Sequence, residues 1–301
     1  MELELKRGGR TARVETLGGE LVSYRDERGL EYIWGGDPAY WPGRNPLLFP
    51  IVGMLKEGKI RFDGREYAME RHGFARRREF TPAARGEDWV RLELRESAET
   101  LALYPYSFRL AVEQRLTDTG FSTAVTVANP GEGPLPFCLG AHTGFRCPLE
   151  AGERFEDYEL VFPERESCPT LLLRDGLLDR PAALPCLEDT DTLPLDYRWF
   201  DALDTLIFEG LRSRSVTLRS RKSGRGVRVS FDGFPMLAFW TMPGKKAPYL
   251  CIEPWHGCAA GTAEGPEFTD KAHCIVLAPG ESRTLAYRAR SEEHTSELQS
   301  P

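Results

Sequence analysis

Alternation with a period of two, interrupted at intervals by turn chemistry, most restricts what this chain can fold into. The runs Tyr106-Phe108-Leu110-Val112, Phe121-Thr123-Val125-Val127 and Val227-Val229-Phe231 each send every second side chain to one side, which is the spacing of a pleated strand with one buried face. Between such runs stand Asp63-Gly64, Asp118-Thr119-Gly120 and Ser223-Gly224-Arg225-Gly226, and each junction predicts a hairpin. No segment carries an apolar stripe at i, i+3, i+4, i+7 with good caps over three turns, and the 29 glycines and 22 prolines are scattered instead of gathered into one linker. The chain is therefore read as all-β, a large antiparallel β-sandwich whose function sits on loops and one concave face.

One stretch escapes the pattern. Residues 174–198 hold Pro181, Pro185 and Pro194 and the acids Glu188, Asp189, Asp191 and Asp196, a composition that predicts a long surface excursion without requiring a domain boundary. The remaining sequence shows no internal repeat, so residues 1–289 are read as a single domain. The last twelve residues, RSEEHTSELQSP from Arg290, are set apart as a non-native tail, because codons for Arg290 to Ser300 can be spelled by the start of a widely used sequencing-library adapter.

Composition excludes several classes. With 41% apolar residues in 301 the chain can bury a substantial core. The net charge of -7 comes with no long basic stripe, and the run Arg76 to Arg78 is too short to track phosphates, so no nucleic-acid partner is expected. The opening MELELKRGGR lacks a continuous apolar region, and 18 consecutive apolar residues occur nowhere, which disfavours secretion and membrane insertion. Seven cysteines form an odd set without a CxxC pair or zinc-like His/Cys spacing. They are read as reduced, mostly buried thiols in a cytoplasmic protein with no metal. The sequence sets no oligomeric state.

The chemistry concentrates in three short segments: His72 in RHGFAR, His142 in GAHTGF and Glu253 in CIEPWHG. His72 precedes Gly73, where the backbone could come close to a ligand. His142 is flanked by Gly140, Ala141, Thr143 and Gly144, small neighbours that leave an imidazole room to face a pocket. Glu253 ends an apolar run, so its carboxylate must be solvated, paired or bound. A buried ion pair with an arginine is the plain alternative for Glu253, and a structural role the plain alternative for either histidine. An imidazole and a carboxylate on opposite sides of one pocket could deliver a proton to one substrate oxygen while removing another, without metal or cofactor.

Taken in order, LLFPIVG, RHGFAR, GAH before CPL, DTLIFEGLRSRSVTL and YLCIEPW resemble the aldose 1-epimerase (galactose mutarotase) family, most closely its branch of bacterial LacX-like proteins, over nearly all of residues 1–289. The resemblance implies a galactose-mutarotase-like supersandwich that interconverts the α and β anomers of an aldose, a small-molecule sugar, with no cofactor. It makes Glu253 the general base for the anomeric O1 proton and His142 the general acid at the ring oxygen. His72 would hydrogen-bond the ring-side oxygens, and Asp204 of DTLIF would bind sugar hydroxyls. The sequence departs from the pattern at Met54, where the family commonly shows an arginine. Arg71, Arg76 or Lys56 could compensate, and Arg76 is taken as a substrate-binding candidate. Among Trp34, Trp41, Trp199, Trp240 and Trp255, the last is preferred as a flat platform for the sugar. Two alternatives stay open: a non-catalytic carbohydrate-binding or sugar-sensing protein, for which Met54 is the main support, and a hexose-phosphate mutarotase, which would need cations at the pocket rim. Glycoside hydrolysis fits less well, since only one acid stands in a pocket-like motif.

Overall fold

A computed structural model describes residues 1–292. All three turn signals close hairpins: Lys59–Phe62 pairs with Arg65–Ala68, Arg109–Leu116 with Gly120–Ala128, and Ser215–Ser220 with Gly226–Ser230. Among the described residues every pairing between strands is antiparallel, a few isolated parallel bridges aside, and alternation sets the register. Leu110, Val112, Val125 and Val127 are buried, whereas Arg109, Glu113 and Thr126 on the same two strands are not.

Most strands belong to one sheet of fifteen. Its path runs from Leu47–Leu48 through Leu139–Ala141, Tyr249–His256, Met236–Trp240, Thr205–Glu209, Tyr158–Arg174, Ser215–Ser220, Gly226–Ser230, Ser282–Glu292, Gly120–Ala128, Arg109–Leu116 and Trp89–Arg95 to Thr81–Arg85. Thr143–Arg146 and Leu177–Pro194 are side branches, and Glu2–Arg7, Arg10–Glu15 and Glu20–Arg25 form a separate sheet of three. So long a twisted sheet folds over on itself and encloses a large apolar core, with a small second cluster of Trp34, Ala247, Tyr249 and Cys251. A buried polar knot ties distant parts together. The Thr143 hydroxyl donates to Asn45 Oδ1 at 2.7 Å, Tyr287 Oη donates to the same oxygen at 3.1 Å, and the two hydroxyl oxygens lie 3.1 Å apart. With these groups satisfied by one another, their burial costs little, and the backbone beside His142 is pinned to the strand Ser282–Glu292.

Residues 177–194 are not the irregular excursion that their composition suggests. They form a strand paired with Tyr158–Arg174 across a turn at Asp175-Gly176, with register shifts at four places. Pro185 falls outside the paired positions, so the ladder bulges around a residue that lacks a donor. Among the described residues α-helix is confined to the short Ala98–Leu101, capped by Ser97, and Tyr197–Leu203, capped by Asp196. All seven cysteines are free and five are buried. The strand Ser282–Glu292 pairs as far as Glu292, while residues 293–301, most of the expected tail, lie outside the described residues. Among the described residues no helix is long and apolar enough to cross a membrane.

Candidate active site

Three adjacent strands make the floor of a cavity of about 270 Å³, at the small end of ligand pockets and suited to one small molecule. Register places Ile207, Ala238 and Glu253 in one row and Thr205, Trp240 and Cys251 in the next. Because residues directly opposite share a face, Thr205, Ile207, Trp240, Glu253 and Trp255 reach the same hollow. The small Ala238 between Ile207 and Glu253 keeps that floor low.

Glu253 is almost wholly buried. Burial pushes its carboxyl well above the usual carboxylate range, the nearby Asp204 charge adds to this, and the Trp255 indole partly relieves it. Neither Glu253 Oε2 nor Trp255 Nε1 completes a hydrogen bond of good geometry. No arginine pairs with Glu253 among the described residues, which removes the plain ion-pair reading. Its close neighbour is instead His142, whose Nε2 lies 3.3 Å from Glu253 Oε1. The two groups stand side by side, not on opposite sides of the pocket as the sequence suggested, because Thr143–Arg146, which follows His142, pairs directly with the strand carrying Glu253.

His142 interrupts the strands Leu139–Ala141 and Thr143–Arg146. The Trp41 ring lies against it tilted by 30° with centroids 4.8 Å apart, and Trp240 meets it edge-on at 5.5 Å. Burial first, then the Arg76 and Arg71 charges, pushes the imidazole down to about 3. His72 faces it with ring centroids 5.7 Å apart and planes at 90°. It too is held well below its ordinary value by burial and by its charged neighbours. Gly73 does not approach a ligand: a Cβ there would run into the Phe49 carbonyl, so glycine is required by the wall containing Leu47–Leu48. That wall contributes Pro46 to the cavity.

Asp204 ends the helix Tyr197–Leu203 with φ 63° and reaches the cavity edge, where its Oδ2 accepts from the Thr205 hydroxyl at 3.0 Å. Arg76 lines the cavity, donates from Nη2 to the Arg71 carbonyl at 2.9 Å and leaves Nε without a partner. The Arg71 guanidinium comes to 2.7 Å from the Met54 sulfur, so a cation from elsewhere in the chain reaches the place where Met54 stands instead of the arginine of the family pattern. Lys56 does not serve, since its Nζ is taken by the Glu264 carbonyl at 2.5 Å. Arg77 and Arg78 are likewise engaged, by Glu70 and Glu99.

The hairpin end supplies a roof that sequence reasoning did not foresee. Leu173, Gly176 and Leu178 line the cavity, and a Cβ at Gly176, whose φ is 78°, would strike the Met54 sulfur. Trp41, Trp240 and Met242 also line it, along with the expected Trp255; Trp34 and Trp199 do not. Trp240 was findable from the alternation Met236-Ala238-Trp240, whereas Trp41 lies in a loop that carries no periodic signal. His142, Cys251 and Glu253 are, among the described residues, the group with ligand atoms close enough to hold a metal ion.

A family model described as Aldose 1-epimerase matches residues 1–290. The plasmid-encoded Protein LacX of Lactococcus lactis is 41% identical over 295 residues, covering 95% of this chain and 98% of the relative. Its chromosomal counterpart is 40% identical with the same coverage. Among solved structures, a galactose mutarotase related enzyme from Lactobacillus acidophilus matches with TM-score 0.93 and 27% identity over 100% of both chains. A galactose mutarotase-like protein from Lactobacillus casei matches with TM-score 0.91 and 27% identity over 97% of this chain and 100% of that one.

Proposed function

The chain belongs to the aldose 1-epimerase family, and on that footing we propose that it interconverts the α and β anomers of an aldose by acid-base ring opening. The observation that carries this reading is the 3.3 Å separation of His142 Nε2 and Glu253 Oε1 inside a sugar-sized cavity. The two oxygens to be served, O1 and the ring oxygen, are both bonded to the anomeric carbon, so their proton acceptor and donor have to be neighbours. The Glu253 carboxylate takes the O1 proton, and the C1 to ring-oxygen bond breaks. Its electron pair goes to the ring oxygen, which takes a proton from His142. Rotation about C1–C2 exposes the other aldehyde face. His142 then removes the hydroxyl proton, ring closure follows, and Glu253 returns its proton to O1.

The proton ledger of the pocket fits this sequence. Burial disfavours charge on both groups, so without sugar one proton rests on Glu253 beside a neutral His142. That is also the distribution left after ring opening. Starting from a cyclic sugar, the pair must first adopt the ionised form, and hydroxyls donating to the carboxylate supply the stabilisation that solvent no longer gives. His72 hydrogen-bonds the ring-side oxygens, Asp204 and Arg76 bind hydroxyls, and Trp255 lies along the sugar face.

A second reading, in which the aldose carries a phosphate, is favoured by one observation. Arg71 and Arg76 stand at the cavity with no carboxylate partner among the described residues, and a dianion would neutralise them. Polarimetry on freshly dissolved α-D-glucose or α-D-galactose tests the main reading, with hexose 6-phosphates as a parallel arm. Acceleration beyond the spontaneous rate supports catalysis, and preference for the phosphates selects the second reading. Sugar binding with the spontaneous rate untouched in both arms would replace catalysis with a sugar-binding role.

A further inference from the structure

Beside Glu253, buried next to the cavity without lining it, lies one side chain that acid-base chemistry leaves idle. Cys251 stands two residues before Glu253 on the strand Tyr249–His256, hence on the same face, opposite Trp240 on one side and Gly144 on the other. Its thiol, the His142 imidazole and the Glu253 carboxylate have ligand atoms within 4.8 Å of one another, and all three residues are buried. His142 Nδ1 and Glu253 Oε2 have no hydrogen-bond partner. Buried polar atoms left unpaired next to a soft sulfur make a site that a cation can satisfy.

From this geometry we infer that the protein has an inhibitory site for a thiophilic divalent cation, with Zn²⁺ the type case, held by Cys251 Sγ, a His142 nitrogen and a Glu253 carboxylate oxygen. Zinc takes such ligands at about 2.0–2.3 Å, so an ion among three atoms no more than 4.8 Å apart needs only small side-chain rotations. Three protein ligands leave a fourth tetrahedral position open toward the cavity for water or a sugar hydroxyl. The thiol proton and any proton on Glu253 are lost to solvent as the ion enters, and no oxidation state changes. Mg²⁺ and Ca²⁺, which favour all-oxygen shells, are excluded by the sulfur and nitrogen. The bound ion takes the lone pairs of both proton-transfer groups, so it competes with the sugar. Binding of the ion stands apart from the proposed mutarotation, whereas inhibition rests on it.

The test is a titration of the full chain with Co²⁺, a spectroscopic substitute for zinc. The expected result is one ion per chain, with a thiolate-to-metal charge-transfer band, displaced by Zn²⁺ and weakened by excess aldose. Cys251→Ser should abolish the band and weaken binding by at least the about 10–100-fold that loss of even an outer partner of a metal site costs; Glu253→Gln, read the same way, guards against a fold effect of the first change. Tight Co²⁺ binding without the charge-transfer band, or with unchanged affinity in Cys251→Ser, would place the ion elsewhere and overturn the inference, as would no binding at all. Since absorbance reports occupancy directly, these outcomes are read whether or not polarimetry detects turnover. In an active protein, Zn²⁺ inhibition that is equal in the parent and Cys251→Ser would also overturn it.

Discussion

Gly53 and His72 exchange two hydrogen bonds: the Gly53 N–H donates to His72 Nδ1 at 3.1 Å, and the His72 backbone N–H donates to the Gly53 carbonyl at 2.9 Å. An Nδ1 that accepts from an amide leaves the ring proton on Nε2 of the neutral imidazole. His72 is thereby a fixed donor, held uncharged by burial and by the neighbouring His142, Arg76 and Arg71. His72→Ala should lower kcat/KM by about 10–100-fold, equivalent to about 1.4–2.7 kcal/mol of transition-state stabilisation. The shape of the pH profile should not change, because an uncharged donor has no titration to lose. A displaced profile in polarimetric assays would contradict the donor role.

Glu253 and His142 act as one unit in the proposed chemistry, so their removal should not add. Glu253→Gln and His142→Ala are each expected to reduce kcat about 10²–10⁴-fold, and the double variant should be little worse than the poorer single one. Multiplicative losses measured by polarimetry would mean two independent contributions and would argue against a shared proton path.

A pair with one proton between them gives a distinctive pH dependence. His142 gains a second proton for the pair only toward about pH 3, and the Glu253 carboxyl keeps its proton well above the ordinary carboxylate range. Between those limits the pair holds a single proton. With a neutral aldose and a chelator present, kcat/KM should show no acidic limb near the ordinary histidine value of about 6.5. An acidic limb centred there would assign the acid to an ordinary exposed imidazole.

The same burial has a cost in stability. Glu253 has a raised folded-state pKa, so whatever its protonated form contributes is fully present below the unfolded value of about 4.5 and is lost as pH rises through the folded one. Glu253→Gln removes the titration while keeping the shape. The variant should therefore melt higher than the parent, with a margin that grows from pH 5 to pH 8; about 2–4 °C corresponds to each kcal/mol in domains of 150–250 residues. A margin that shrinks with rising pH would reverse the sign of the argument. In the proposed chemistry the requirement for a buried carboxyl at Glu253 opposes stability.

Much of this arrangement was visible in the sequence, for reasons that differ by residue. The strands were legible because Leu110, Val112, Val125 and Val127 must alternate to bury one face, and Asp63-Gly64 signals its turn through left-handed backbone at both residues. His72, His142 and Glu253 were singled out by their small or apolar neighbours, and they do meet at one cavity. Their relative placement was not legible. Whether His142 faces Glu253 or stands beside it depends on the pairing of Thr143 with Ile252, a long-range register that no local pattern encodes. The strand at residues 177–194 was missed because prolines and acids mask alternation where the ladder slips repeatedly. Arg71 was one of three candidates to replace the cation absent at Met54, and only the contact between the two distinguishes it from Lys56.

The hairpin roof suggests a last prediction. Arg180 forks onto Glu209 at 2.6 and 3.3 Å, and His273 Nε2 shares the same carboxylate. This pairing clamps the strand that carries Leu178 over the floor strand that carries Ile207, both of which line the cavity. Two backbone bonds, Leu178 N–H to the Ala260 carbonyl and Thr262 N–H to the Leu178 carbonyl, each 2.9 Å, hold the same corner. Arg180→Ala should therefore loosen the roof without detaching it. KM is expected to rise about 3–10-fold with kcat nearly unchanged, the mark of lost uniform binding. The stability loss should stay near about 1 kcal/mol, since both partners are partly exposed. Burial pushes the Glu209 carboxyl up, yet the bonds from Arg180 and His273 outweigh it and hold its pKa below 4.5. Its stabilisation is then present above that value and lost as pH falls through the lower, folded one. The melting difference between parent and Arg180→Ala should accordingly narrow below about pH 4.5. A difference that persists unchanged at pH 3 would mean that Arg180 acts through packing of its stem and not through the carboxylate.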